Sequence, residues 1–239
     1  MPLDLTGNKL LSTSIGPKGE VIKQIATDGL VFHVDAGNKN SYSGSGTSWV
    51  NLINSNTGIL TNGPTFNTSN LGSISLDGTN DYISSFGNAI VPAGSSPYTV
   101  SVWVYRNRSN VGYEELLAQW TYANSGNSFY FGFNSGDVRF SDSWSNVTVS
   151  GASNTGVWMN LVGVNTGSNA YIYLNGILSA TKGSALTYTG TANFLIGRQG
   201  ELDGEYFGGK ISNVFVYNRA LSTTEVMQNY NAQKSRFGL

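Results

Sequence analysis

An all-β sandwich with one short C-terminal helix and an N-terminal arm is the fold this sequence predicts, and three observations predict it. From Leu30 onward, short alternating runs are separated by Gly, Asn, Ser and Asp clusters. Hydrophobic residues make up 39% of the 239 positions and aromatic residues 12%, enough for a substantial core. A single helix signature is found, close to the C-terminus. Length alone permits one domain or two, and sandwiches of this size run as one.

Residues 1–28 form the arm. Leu3, Leu5, Leu10, Leu11, Ile15, Val21, Ile22 and Ile25 are scattered among Gly7, Gly16, Pro17 and Gly19. The segment is too short and too interrupted for a core of its own. It either packs along residues 29–239, which form the sandwich domain, or binds a partner through Leu3, Leu5, Leu10, Leu11 and Ile15.

The strands follow. Leu30–Asp35, Ser73–Leu76 and Asp81–Ser84 come first. In Tyr98–Tyr105, Val100, Val102 and Val104 share a face with Tyr98, and Thr99, Ser101, Trp103 and Tyr105 share the other, so a central strand covered on both sides is expected. Glu115–Trp120, Ser128–Phe133, Val138–Phe140 and Trp158–Val164 continue the series. Ala170–Leu174 and Ile177–Lys182 flank Asn175-Gly176, a strong signal for a type I′ hairpin turn. Phe194–Ile196 and Lys210–Tyr217 complete it. At the helix, Ser222 and Glu225 have capping-box spacing, Leu221 and Val226 can staple, and Val226, Met227 and Tyr230 share the docking stripe.

Composition narrows the function. Only 11% of residues are charged, against roughly 25% in an average soluble domain. A net charge of −1 gives no footprint for nucleic acid or an acidic membrane. The absence of cysteine excludes disulfides and thiolate chemistry. No apolar run reaches the ~18 residues of a membrane span, and the first residues lack the pattern of a secretion signal. The Asn-x-Ser/Thr sequons at Asn67, Asn107 and Asn146 therefore read as coincidences of composition.

Several segments in order carry a family resemblance: VFHVDAGNKNSYSGSGTSWVNL, LTNGPTF, SISLDGTNDYI, YTVSVWVY, WMNLVGV, AYIYLNG and GGKISNVFVYNRALSTTEVMQNYNAQKSRFG. Together, over about residues 29–237, the series resembles the laminin-G-like branch of the concanavalin A-like lectin/glucanase superfamily. The resemblance implies a jelly-roll sandwich of two antiparallel sheets. The version opening with VDAGNKNSY and closing with YNRALSTTEVMQNYNAQKSRFG is most similar to domains of tailed-phage structural proteins.

Candidate chemistry is sparse. Glycosidases of that superfamily carry Glu-x-Asp-x-Glu on a stiff strand, and Glu201-Leu202-Asp203-Gly204-Glu205 has the same spacing. Here Gly200, Gly204, Gly208 and Gly209 surround it, so a loop and no catalytic residue are expected. Ca²⁺ is the one cofactor the resemblance admits, with Asp77, Asn80 and Asp81 offering oxygens on a turn, and Asx-turn capping as the competing role. His33, the single histidine, faces away from Phe32 and Val34 and is expected to be structural. Trp120, Tyr122 and Trp144, in polar loops, are candidates for stacking on sugars, with core or interface packing as the alternative. Trp103 and Trp158, on strong strands, are expected in the core.

Two functions of different kinds follow. One is a non-catalytic virion-surface protein of a tailed phage (capsid decoration, head fibre or tail component), homo-oligomeric, anchored to other virion proteins or copies of itself by the arm. The other is a stand-alone carbohydrate-binding module of cellular origin that reads glycan through its loops. A glycosidase is a distant third.

Overall fold

A computed structural model describes residues 24–84, 86–87, 89–109, 111–119, 128–142, 146–188, 193–200 and 204–239, together with strand residues 14–15 and 21–22. In chain order the strands begin with β1 (Ser14–Ile15), β2 (Val21–Ile22), β3 (Leu30–Asp35), β4 (Ser48–Val50), β5 (Thr57–Thr61) and β6 (Thr65–Asn67). Next come β7 (Ser73–Asp77), β8 (Tyr82–Ser84), β9 (Tyr98–Arg106), β10 (Tyr113–Gln119), β11 (Phe129–Asn134) and β12 (Asp137–Ser141). The series ends with β13 (Asn146–Val149), β14 (Trp158–Asn165), β15 (Ala170–Leu174), β16 (Ile177–Lys182), β17 (Phe194–Ile196) and β18 (Gly208–Tyr217), followed by helix α1 (Thr223–Gln233).

Two antiparallel sheets face each other. One runs β16-β15-β14-β9-β18-β7-β6, with β3 paired to the second half of β18; the facing sheet runs β13-β12-β11-β10-β17-β8-β5-β4. Alternation sets the core. Val100, Val102 and Val104 of β9 and Ile211, Val214 and Val216 of β18 point inward, against Leu117, Phe129, Phe131, Phe133 and Ile196 of the facing sheet. As expected, β9 lies between β14 and β18 and is covered on both sides.

The second cover is the C-terminal helix. Ser222 and Glu225 form the capping box, and Leu221, Val226, Phe215 and Tyr217 make a small cluster on the outer face of the first sheet. Trp103 is fully buried there, between the stacked rings of Phe237 (centroids 4.0 Å apart) and Tyr230 (5.8 Å). Trp158 is only partly buried: it meets Phe237 at 4.8 Å and donates from Nε1 to Asn70 Oδ1. The predicted hairpin is present, with Asn175 and Gly176 both at positive φ (49° and 80°) between paired Leu174 and Ile177.

Strands β4, β5, β6 and β13 were not anticipated. Three of them have three or four residues, too few for alternation to show. The turn after Asp77 was expected between two strands, and it also carries the chain from one sheet to the other, since β7 and β8 belong to different sheets. At the N-terminal side, Gln24 and Ala26 are already tied to the domain: Asn229 Oδ1 accepts from Ala26 N, Ala26 O accepts from Tyr217 Oη, and Gln24 O accepts from Gln228 Nε2. β1 and β2 pair only with each other.

The aromatic stack makes the tail a structural necessity. Phe237→Ala is expected to cost about 3 kcal/mol in chemical denaturation, and Phe237→Leu about 1 kcal/mol. A loss under about 1 kcal/mol for the alanine variant would show that the tail does not close the core.

Candidate functional site

No helix of the described residues lies over the outer face of the facing sheet, and its strand β10 carries a buried carboxylate on each of its two faces. The neighbouring residues Glu114 and Glu115 enter β10 together, and strand alternation sends them to opposite faces. Glu114 turns inward and is fully buried. It accepts from Arg106 Nε (2.7 Å), Arg108 Nη2 (2.8 Å) and the backbone N–H of Gly208 (3.1 Å). Arg106 is itself fully buried over the ring of Phe133 and donates to Ser135 O and Ser153 Oγ. Arg108 continues outward, donating to Gly78 O and Tyr206 O. Buried charges survive only when paired this completely.

Glu115 turns outward. In one cross-strand row it lies opposite Gly132, which lies opposite Arg139. A Cβ on Gly132 would come within 2.2 Å of Glu114 O and 2.8 Å of the Glu115 carboxylate. Only glycine lets the Glu115 side chain cross β11, and it ends in an ion pair with Arg139. The Arg139 guanidinium rests over the rings of Tyr113 (4.6 Å) and Tyr130 (5.5 Å). The other Glu115 oxygen has no hydrogen-bond donor, and the carboxylate of Glu205 stands within hydrogen-bonding reach. Burial, and then the repulsion of Glu205 against the pull of Arg139, raise the Glu115 carboxyl from its ordinary 4.5 to about 8. Glu115 is thus held between Arg139 on one side and Glu205 on the other.

Glu205 is held in place by its backbone: its carbonyl accepts from Glu115 N at 2.9 Å, and its φ is +55°. Beside it, Tyr206 and Tyr82 flank the guanidinium of Arg198, which lies 5.4 Å and 4.7 Å from their ring centres. Tyr82, Tyr206 and the 45%-exposed Tyr113 present aromatic surface around the cluster.

The expected site residues fare differently. Trp120, Tyr122 and Trp144 lie outside the described residues, as do Glu201, Leu202, Asp203, Leu3, Leu5, Leu10 and Leu11. The strand ends that flank Trp120, Tyr122 and Trp144, at Gln119, Phe129, Ser141 and Asn146, all lie at one end of the facing sheet. Ile15 pairs with Val21 in the two-stranded β1–β2 ribbon. Asp77 and Asp81 share a turn in which Asp77 Oδ1 accepts from the N–H groups of Thr79, Asn80 and Asp81, and Asp81 Oδ2 accepts from Asp77 N. Those N–H groups hold the Asp77 carboxyl below its usual range. This is Asx-turn geometry. Asp77 Oδ1 and Asp81 Oδ2 are engaged by these amides, and no group of three acidic, histidine or cysteine side chains that could hold a metal occurs among the described residues.

His33 stacks on Phe215 at 4.4 Å, and burial lowers it to about 4. It lines a cleft of about 790 Å³ on the other sheet with Asn70, Leu71 and Arg236. Arg236 is committed there to Asp35, Asn70 O and Gly72 O, and no nucleophile–base pair is formed. The Glu115–Glu205 contact was missed because its partners are 90 positions apart. The available signal was a Glu pair opening an apolar strand, for which only buried arginines could compensate.

The raised Glu115 carboxyl gives a signed pH dependence. A folded-state value of about 8 means that its contribution to stability is complete below the ordinary 4.5 and is lost as pH rises towards 8. Melting between pH 5 and pH 9 should fall by about 4 °C or more. In Glu205→Gln the carboxamide donates to Glu115, and less than half of that fall should remain. A flat wild-type profile, or a glutamine variant that tracks the wild type, contradicts a Glu115 carboxyl raised by burial beside Glu205.

Comparison with known proteins agrees with the architecture. Domain 4 of an extracellular arabinanase from Geobacillus stearothermophilus, solved with arabinotriose, superposes with a TM-score of 0.65 at 16% identity, over 84% of this chain and 98% of that one. A sialidase from Trypanosoma rangeli gives 0.68 at 15% identity, over 94% of this chain and 36% of the sialidase. The binding domain of Paraclostridial Mosquitocidal Protein 1 gives 0.62 at 16% identity, over 85% of this chain and 52% of that one. No curated protein matches in sequence. A family model matches residues 77–227, more than half of the chain, which therefore belongs to the concanavalin A-like lectin/glucanases superfamily.

Proposed function

We propose that this chain is a non-catalytic glycan-binding sandwich whose sugar site is the outer face of the facing sheet. One observation carries the proposal: partly exposed Tyr82, Tyr113 and Tyr206 ring the buried Glu115–Arg139 ion pair on a sheet face with no helix of the described residues over it. Aromatic faces stack on sugar C–H surfaces, and pinned neighbours keep them rigid, so little entropy is lost on binding. The fold shared with an arabinanase domain solved with arabinotriose supports it. So does the convergence, at one end of the same sheet, of the strand ends flanking Trp120, Tyr122 and Trp144.

Catalysis is disfavoured by geometry. Retaining glycosidases hold their carboxyls about 5–5.5 Å apart across the sugar bond, and inverting ones further. Glu115 is fully buried and paired with Arg139, with Glu205 beside it. A calcium ion at Asp77, Asn80 and Asp81 would have to displace the turn's own hydrogen bonds, so binding should survive a chelator. On a glycan array, the Tyr82→Ala/Tyr206→Ala double variant should lose at least about tenfold in affinity, or ~1.4 kcal/mol, with its melting temperature retained. Silence of the wild type on the array, or full binding by the variant, would refute the site; loss of binding with the chelator would put a cation in it.

A second proposal concerns where the module works: on the virion of a tailed phage, as a capsid decoration, head fibre or tail component. It is favoured by β1 and β2, which pair with each other and join neither sheet. That leaves Leu3, Leu5, Leu10, Leu11 and Ile15 as an anchoring arm for copies of the chain or other virion proteins. Deletion of residues 1–23 keeps the Ala26 anchor. It should abolish oligomerisation and particle attachment while glycan binding persists, and unchanged assembly would count against the arm.

A further inference from the structure

The sheet backed by α1 is not wholly covered by it. At the end away from the helix, one cross-strand row runs over five neighbouring strands: Trp158 opposite Tyr105, Tyr105 opposite Lys210, Lys210 opposite Ser75, and Ser75 opposite Thr65. All five point outward, Thr65 exposed and the other four partly so. At strand spacing the row is roughly 19 Å long. Its chemistry changes in steps, from two aromatic rings 5.7 Å apart, through an ammonium 4.8 Å above the Tyr105 ring, to two hydroxyls.

The polar groups of this row are unspent. Among the described residues, Tyr105 Oη, Lys210 Nζ, Ser75 Oγ and Thr65 Oγ1 have no hydrogen-bond partner, and Lys210 has no carboxylate partner. Elsewhere Arg106, Arg108, Arg139, Arg219 and Arg236 are all in ion pairs. The acidic residue next along β7, Asp77, turns its carboxylate into its own loop. A cation seated on an aromatic ring, without a counter-ion and in line with free hydroxyls, is arranged for an anion that is also rich in hydroxyl groups.

We propose that this row is a second binding site, distinct from the tyrosine face, and that it takes an extended acidic polysaccharide of the uronic acid type. A sugar carboxylate pairs with Lys210, pyranose faces rest on Tyr105 and Trp158, and hydroxyls bond Ser75 and Thr65. The site lies on the opposite sheet from the tyrosine face, so variants there leave it unchanged and the two proposals fail independently.

Calorimetric titration of the full chain with hexagalacturonate, and with the neutral cellohexaose, tests it. Hexagalacturonate should bind at least about tenfold more tightly, and the difference should shrink as salt rises. Lys210→Gln should lose that preference and Lys210→Arg keep it, both melting with the wild type. Tyr82→Ala/Tyr206→Ala should leave it intact. No binding of hexagalacturonate, equal affinity for both oligomers, or undiminished preference in Lys210→Gln would overturn the site.

Discussion

The buried carboxylate of Glu114 is the point on which the functional geometry turns. It draws in Arg106 and Arg108 from the end of β9 and just beyond it, and takes the N–H of Gly208 at the start of β18. Through Arg108 it also reaches the carbonyls of Gly78 and Tyr206. Three chain segments distant in sequence are thereby fixed at one end of the sandwich. The segment that follows from this pin supplies both outer faces: Glu205 and Tyr206 lie on one, and Lys210 stands in the row on the other. An unpaired charge in that position would be strongly destabilising, so the cluster is either complete or absent.

That arrangement holds the last acidic residue of the Glu201–Glu205 run against the sheet. Glu205 ends that run, and its carboxylate stands beside the buried Glu115, which is paired with Arg139. The Glu115–Glu205 contact joins the loop to the sheet. Charge on this face is spent on position, and Tyr82, Tyr113 and Tyr206 stand around it. A low charged fraction is consistent with adhesion by ring faces and hydroxyls rather than by long-range fields.

Much of the fold was legible because it rests on local rules. The alternation of Tyr98–Tyr105, the Asn175-Gly176 turn and the Ser222–Glu225 box each need only neighbouring residues, and each is present in the structure. The short strands β4, β6 and β13 were not legible, since three or four residues carry no period. The site was least legible of all. Nothing near Glu115 in sequence announces Gly132, Arg139 or Glu205, and a glycine that lets a side chain pass over a strand looks like any turn glycine. Row chemistry such as Trp158–Tyr105–Lys210–Ser75–Thr65 depends on register, which exists only once the sheet is built.

Amide hydrogen exchange in the wild type and in Glu114→Gln tests the pin most directly. The account predicts that protection of the Gly208 and Glu115 amides falls together in the variant, because one donates to Glu114 and the other to the carbonyl of Glu205. Amides in the centre of β9 and β14 should keep their wild-type protection. Unchanged exchange at Gly208 and Glu115 would contradict the claim that Glu114 organises both faces.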